Sequence, residues 1–134
     1  MRNRWKFLTV DEVLAIHRCV VSEFGGEGAV LNEGILESAV AMAEAEFEGR
    51  RLHEDGAAIA GAYFYNICRG HPFLDGKNRT ALATAGAFLF GNGFEVKATQ
   101  KELERLALGV AEGRISKDEV TAFLRARCKP ARER

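Results

Sequence analysis

The chain contains few of the residues that interrupt helices or crosslink a protein. Its 134 residues include only two prolines, Pro72 and Pro130, so proline interrupts no helix elsewhere. The three cysteines, Cys19, Cys68 and Cys128, are widely spaced and odd in number. That usage is typical of a reducing cytoplasm and not of a disulfide framework. We therefore expect a cytoplasmic protein whose cysteines are packing residues.

The sequence also lacks a long apolar run and an excess of charge of either sign. No run approaches the roughly 20 apolar residues of a membrane-spanning helix, and the short basic start does not resemble a secretory signal. Nineteen Lys and Arg residues balance nineteen Asp and Glu residues, so no overall field attracts nucleic acid. Basic residues gather only at the two ends, where solvated termini explain them. We expect neither a membrane nor a direct nucleic-acid partner.

The chain does contain enough apolar material for a core, since 47% of its residues are hydrophobic. Its length is that of one domain. The sequence therefore predicts a single domain over residues 1–134, with its core at about 9–127 and a basic tail at 128–134.

Local signals predict an all-α fold, a compact bundle of about six helices. Capping boxes, in which Thr or Ser precedes Glu by three positions, begin three of them: Thr9 with Glu12, Thr99 with Glu102, and Ser116 with Glu119. Asn32 can cap another helix. The expected helices are 10–24, 33–43, 57–68, 78–90, 100–110 and 117–127. A short extended segment is expected at 94–96, and Gly113 is expected to end the fifth helix. The near-continuous apolarity of 78–90 predicts a buried helix rather than a surface helix.

The richest chemistry lies in residues 71–79, HPFLDGKNR, between the two central helices. This stretch contains a histidine, a carboxylate, a glycine and two cations. Transfer from a nucleotide needs a base, a metal-binding carboxylate and groups that bind phosphate. The pattern therefore predicts an active-site loop.

His71 is the candidate base. Proline at the next position disfavours helical geometry, which leaves the imidazole on a loop where it can meet a substrate. Histidine titrates near neutral pH and can take a proton from a hydroxyl group. The alternative is a structural histidine bonded to backbone. His17 and His53 lack such surroundings and are predicted to be a packing and a surface residue.

Asp75 and Gly76 precede the fourth helix. Asp75 is a candidate Mg²⁺ ligand, since magnesium takes only one or two carboxylates and fills its shell with phosphate oxygens and water; the alternative is a helix cap. Gly76 lets the backbone approach a ligand. The amides at 76–78 would then form an anion site at the helix start.

Lys77 and Arg79 place two cations in the first helical turn, where the helix dipole disfavours them. An anionic ligand explains them better than stability does, because Arg79 can grip phosphate oxygens with both arms of its guanidinium. The alternative for Arg79 is a surface residue with an acidic neighbour. We read Phe73 as an anchor of the loop in the core.

Residues 71–79 resemble the active-site motif of the Fic/Doc family, His-x-Phe-x-Asp/Glu-Gly/Ala-Asn-Gly/Lys-Arg. The segments 31–39, 80–82 and 91–93 extend the resemblance, the last two towards the Doc branch. The likeness covers nearly all of residues 9–125. It implies a compact helical bundle, with His71 as catalytic base.

The resemblance further implies a toxin that phosphorylates a protein hydroxyl, with ATP and Mg²⁺ as cofactors and translation elongation factor Tu as the associated target. Asp75 would bind the metal, and Gly76, Lys77, Asn78 and Arg79 the nucleotide. An antitoxin would supply an inhibitory helix in trans, since this chain lacks the family's inhibitory pattern.

Two alternatives remain open. AMP-transferring members of the family usually carry a second arginine three residues after the first, and here that position is Leu82. The first alternative is nucleotidyl transfer, against which the missing arginine at position 82 argues. The second is a catalytically impaired binding module that acts through an antitoxin.

The departure from the family pattern is the order of Lys77 and Asn78, which are exchanged. Adjacent helical residues point about 100° apart, so the phosphate cradle is rearranged. It would hold the nucleotide differently, transfer a different group or work poorly. From the sequence we favour impairment, which predicts that reversing the pair raises activity.

Overall fold

The fold is seen in a computed structural model that describes residues 5–53, 55–70, 72 and 76–131, with Phe47 and Arg51 described by their backbone alone. Within these residues the chain forms six helices: α1 (Val10–Phe24), α2 (Glu33–Ala43), α3 (Gly56–Gly70), α4 (Lys77–Gly91), α5 (Gln100–Ala111) and α6 (Lys117–Arg127). Helix α3 is the centre of the bundle, packed against α2, α4, α5 and α6. The predicted helical bundle is confirmed.

The helices begin where their local caps predict. Thr9 Oγ1 accepts the Glu12 N–H at 3.1 Å, and the Glu12 carboxylate accepts the Thr9 N–H at 2.8 Å. The same reciprocal pair opens α5 and α6. Asn32 Oδ1 accepts the Ile35 N–H at 3.0 Å and starts α2. All four predicted caps are confirmed.

Two small antiparallel pairs of strands supplement the helices. Strands β1 (Glu46–Phe47) and β2 (Arg50–Arg51) form a hairpin, and β3 (Phe94–Val96) pairs with β4 (Cys128–Pro130). The extended segment 94–96 is confirmed. Its partner was not predicted, and the segment described as a basic tail therefore begins as a paired strand. Three residues are too few for an alternating pattern to show in the sequence.

The segment before α1 is packed on the bundle as well. The rings of Trp5 and Phe7 lie 5.9 and 6.0 Å from the ring of Phe88. The buried Tyr63 hydroxyl accepts the Leu8 N–H at 2.9 Å and donates to the Leu8 carbonyl at 3.3 Å. Burial raises the pKa of Tyr63 to about 12. Helix α3 thus fixes the chain ahead of α1 through a satisfied, buried hydroxyl.

Helix α4 is buried on one face only, so the predicted burial is confirmed for that face and wrong for the rest of the helix. Its buried residues form one face: Thr80, Ala81, Thr84, Ala85, Phe88 and Leu89. Phe90 is 60% exposed, and Ala87 is also exposed. Alanine and single apolar residues are common on protein surfaces, so composition did not distinguish the two faces.

The cysteines occupy three different environments. All three are free thiols; Cys68 is buried, Cys128 is partly buried and Cys19 is exposed. The packing prediction is thus confirmed for Cys68 and wrong for Cys19. Helices long and apolar enough to cross a membrane are absent from the described part of the chain.

Small residues let α6 approach the central helix. A Cβ atom at Gly61 of α3 would lie 2.7 Å from Thr121 Oγ1 of α6, too close for an ordinary contact. Gly86 of α4 differs, since a Cβ there would meet nothing within 4 Å. Gly61 is therefore required by packing, whereas Gly86 is a helical glycine with open space around it.

We expect opposite effects from the same substitution at these two glycines. Gly86→Ala should raise the free energy of unfolding by up to about 1 kcal/mol, because alanine loses less backbone entropy in a helix. Gly61→Ala should lower it by about 1–3 kcal/mol, because the added methyl group forces α3 and α6 apart. Chemical denaturation of both variants measures the difference, and equal shifts in the same direction would contradict it.

Candidate active site

The structure describes part of the predicted motif. Pro72 and residues 76–79 are described, and they connect the end of α3 to the start of α4. His71, Phe73 and Asp75 lie outside the described residues, so their predicted roles stay predictions.

The motif is fastened to the segment that leads into α2. The Pro72 carbonyl accepts the Leu31 N–H at 2.7 Å and the Asn32 N–H at 3.3 Å. Asn32 is also the cap of α2, so one residue orders both the helix and the motif. Two of the segments that resemble the family, 31–39 and 71–79, thus meet at the site.

Gly76 has a structural reason to be glycine. It caps α4 with a left-handed backbone, φ 77° and ψ 13°, which other residues adopt at a cost. A Cβ there would lie 3.3 Å from Val20 Cγ1 and 3.8 Å from Cδ2 of His17, both in α1. The glycine therefore brings the motif against α1. His17 is buried, as predicted.

The start of α4 fits the predicted anion site. Gly76 carries no side chain that could cap the helix, and its carbonyl accepts the Thr80 N–H at 2.8 Å. The N–H groups of the first turn, at residues 77–79, point along the axis away from the helix and find no acceptor inside it. Together with the helix dipole, these groups favour an anion.

Lys77 and Asn78 form a network with the end of α3. Lys77 Nζ donates to the Cys68 carbonyl at 3.1 Å and to Asn78 Oδ1 at 3.0 Å. Cys68 Sγ donates to the same Asn78 oxygen at 3.5 Å. Burial raises the pKa of this thiol to about 12, which keeps it protonated as a donor. The predicted phosphate contacts of Lys77 and Asn78 stay predictions.

Arg79 stacks on an aromatic ring. Its guanidinium carbon lies 4.0 Å from the ring centroid of Phe24, the last residue of α1. Stacking occupies the face of a guanidinium and leaves its edge N–H groups able to bind an anion. The sequence placed Phe24 in the helical pattern of α1 but gave no signal of this contact, because it joins two helices distant in the chain.

Arg79 also lies at an apolar groove between α1, α4 and α5, which we call the α1–α4 groove. Its cavity measures about 550 Å³, and its apolar lining includes Ile16, Cys19, Val20, Phe24, Leu82 and Leu103. The exposed Cys19 is part of this lining. The sequence did not predict the groove, which three separate helices build.

His53 was predicted at the surface and is instead half-buried, with Nδ1 enclosed. Burial, and then the nearby Lys117 ammonium, lowers its pKa. It lies beside the starts of α3 and α6, whereas the motif follows the end of α3. The structure does not bring His53 to the candidate site.

The chain is similar in sequence to known proteins of one family. The model of the Fic/DOC family matches residues 7–89. "Protein kinase doc" of Escherichia phage P1 is 31% identical over 120 residues, covering 90% of this chain and 94% of that protein. "Toxin Doc" of Mycolicibacterium smegmatis is 37% identical over 75 residues, 56% of this chain and 58% of that protein. The resemblance of the sequence is confirmed, and the chain belongs to the Doc branch of the Fic/Doc family.

Proposed function

We propose that this chain is a Doc-like toxin that transfers the γ-phosphate of ATP to a hydroxyl group of a protein, and that an antitoxin holds it inactive. The observation that carries the proposal is that two groups suited to bind an anion, the start of α4 and the Arg79 guanidinium, directly follow His71 and Asp75 in the sequence. The names of the relatives, a protein kinase and a toxin, support the same class. By family resemblance, elongation factor Tu is the target we propose.

The nucleotide phosphates would bind at the start of α4. The amides of residues 77–79 would donate to phosphate oxygens, as they do at other helix N-termini. Arg79 would bind the same phosphates through the edge of its guanidinium while its face stays on Phe24. No side chain caps these amides from position 76, so they would be able to donate to a ligand.

Magnesium fits this donor set. The described residues contain no group of three or more His, Cys, Asp or Glu side chains suited to hold a metal. Magnesium needs no such cage, since one carboxylate together with phosphate oxygens and water fills its shell. Asp75 would supply that carboxylate. When bound, the ion would neutralise phosphate charge.

His71 would act as general base. Its imidazole would take the proton of the target hydroxyl as the hydroxyl oxygen forms a bond to the γ-phosphorus of ATP. The bond between that phosphorus and the bridging oxygen breaks, and ADP leaves. Residues 77–79 would hold the phosphates in line, which is where catalysis of phosphoryl transfer mainly arises.

Nucleotidyl transfer, with attack at the α-phosphorus, is the second candidate. The side chain at position 82 speaks against it, because Leu82 is apolar and lines the α1–α4 groove. It cannot supply the second cation of AMP-transferring relatives. A catalytically impaired binding module is the third candidate, and the exchanged Lys77–Asn78 pair is the feature that favours it.

The first test of the function is His71→Ala. With γ-labelled ATP, the variant should transfer phosphate to the target roughly 10²–10⁴-fold more slowly than the wild type, because it lacks the base. It should also no longer arrest growth when expressed. The matched control is His53→Ala, since His53 lies away from the motif and its loss should leave transfer unchanged.

The isotope position separates the three candidates. Label from γ-labelled ATP supports the kinase, label from α-labelled ATP supports nucleotidyl transfer, and neither label supports an impaired module. A His71→Ala protein that labels its target at the wild-type rate would remove His71 from the mechanism.

The role of Asp75 is tested by Asp75→Asn. Asparagine has nearly the same size and can still accept a hydrogen bond, but it lacks the charge that magnesium favours. We expect Mg²⁺-dependent ATP binding to weaken with little change in melting temperature. Calorimetric titration with and without Mg²⁺, beside a thermal melt, provides both numbers. A large drop in melting temperature with unchanged ATP binding would assign Asp75 a structural role instead.

We place the antitoxin in the α1–α4 groove. The groove is apolar, is built from three helices and includes Arg79 in its lining. An apolar helix laid there would bury this surface and reach the proposed phosphate site. Helix-in-groove binding of this kind uses apolar anchors at helical spacing.

Ala15→Glu tests that placement. Ala15 is exposed and lines the groove, so the variant should fold while a charge in the interface weakens binding of a co-expressed cognate antitoxin by about tenfold or more. Ala122→Glu on α6 is the control, because Ala122 is exposed and outside the groove. Equal antitoxin affinity of the two variants, measured by calorimetry, would rule out the groove.

A further inference from the structure

The Lys77 side chain connects the two helices that flank the motif. Helix α3 ends at Gly70, and α4 begins at Lys77. Across this gap Lys77 Nζ contacts the Cys68 carbonyl at 3.1 Å while it also binds Asn78 Oδ1 at 3.0 Å. The segment that these contacts close contains His71 and the candidate metal ligand.

The direction of the ammonium resolves an electrostatic conflict. A cation at the start of α4 is unfavourable with that helix's dipole, whereas a cation at the end of α3 is favourable. The Cys68 carbonyl is among the last four of α3, which find no donor inside the helix. Because Lys77 Nζ contacts the Cys68 carbonyl, its charge lies beside the C-terminus of α3, where the helix dipole favours a cation.

The same contacts orient Asn78. Its side-chain oxygen accepts from Lys77 Nζ and from Cys68 Sγ. With the oxygen engaged twice, the NH₂ group is the part of the amide left to meet a ligand. An NH₂ group is a donor, and phosphate oxygens need donors.

We propose that Lys77 is a positioning residue of the motif. Its ammonium links the end of α3, which His71 follows in the sequence, to the start of α4, and so sets how these two helix ends lie relative to each other. Phosphate contact belongs to Asn78, Arg79 and the α4 amides. This inference rests on the proposed function. It makes the exchanged pair a working arrangement, contrary to the impairment favoured from the sequence.

The first experiment needs no substrate. Lys77→Met keeps an unbranched side chain of nearly the same length and removes its donors. Amide hydrogen exchange is followed at residues 66–70 and 80–83, whose N–H groups are bonded within α3 and α4. Exchange there should become about tenfold faster, because charged hydrogen bonds between the two helix ends are lost. Lys101→Met is the matched control, since Lys101 is exposed in the first turn of α5. Equal amide protection in both variants would overturn the proposal that Lys77 links the two helix ends.

The second experiment separates positioning from phosphate binding. If Lys77 positions the motif, Lys77→Met should lower kcat by about 10- to 100-fold with the KM for ATP little changed. Lys77→Arg, which keeps a cation and its donors, should recover most of the loss. A higher KM with unchanged kcat would instead make Lys77 a phosphate ligand. Should Lys77→Met fail to fold, Lys77→Gln, which keeps an NH₂ donor group without charge, takes its place.

Reversal of the pair gives the decisive comparison. Lys77→Asn with Asn78→Lys keeps composition and net charge but removes the ammonium from the Cys68 carbonyl. The double variant should be slower than the wild type, and a faster one would overturn the proposal. A wild type that transfers no group at all would overturn the proposed function. The hydrogen-exchange result would still decide whether Lys77 links the end of α3 to the start of α4.

Discussion

The close packing of α3 is the constraint on which the other features depend. Four helices surround it, and small residues such as Gly61 let α6 come near enough for side chain to meet backbone. Tyr63 adds a buried hydroxyl that holds the segment before α1. Because α3 is held along its length, its last turn is fixed in the bundle. The motif that follows therefore starts from a packed helix, and sites held by packed helices keep a more precise geometry than sites held by loops.

Local charges and helix dipoles shape the described part of the site, although the chain has no net charge. The carbonyl end of α3 and the amide end of α4 lie on either side of the motif, and their dipoles call for ions of opposite sign. Lys77 satisfies the first through the Cys68 carbonyl. The second would be satisfied by phosphate in the proposed function. In the proposed function, the helix ends would attract the anionic ligand, as an overall positive charge would in a more basic protein.

The sequence predicted what depends on near neighbours. Each cap works across three residues, as in Thr9 with Glu12, so the helix starts could be read from the chain. The contacts that join distant segments could not be read, among them Arg79 on Phe24 and β3 with β4. The direction of Lys77 belongs to the same class, because it depends on where α3 ends in space.

The burial of α4 shows a further reason why prediction failed. Composition reports how apolar a helix is, but its surroundings decide which face is covered. In α4 the face that remains open towards the groove includes apolar residues, Leu82 and Ala83. An apolar residue at such a position looks like core in the sequence but is only partly buried in the fold.

That open face connects the two halves of the proposed function. Arg79, Leu82 and Ala83 are spaced three and four apart, so they share one side of α4, and all three line the α1–α4 groove. A partner bound to Leu82 and Ala83 would lie one helical turn from Arg79, the residue proposed to bind phosphate. Leucine in place of a second arginine then has two effects on this helix. It removes a cation that nucleotidyl transfer would use, and it supplies apolar surface to the groove where an inhibitor would bind. Phosphate transfer and control by an antitoxin would therefore depend on the same face of α4.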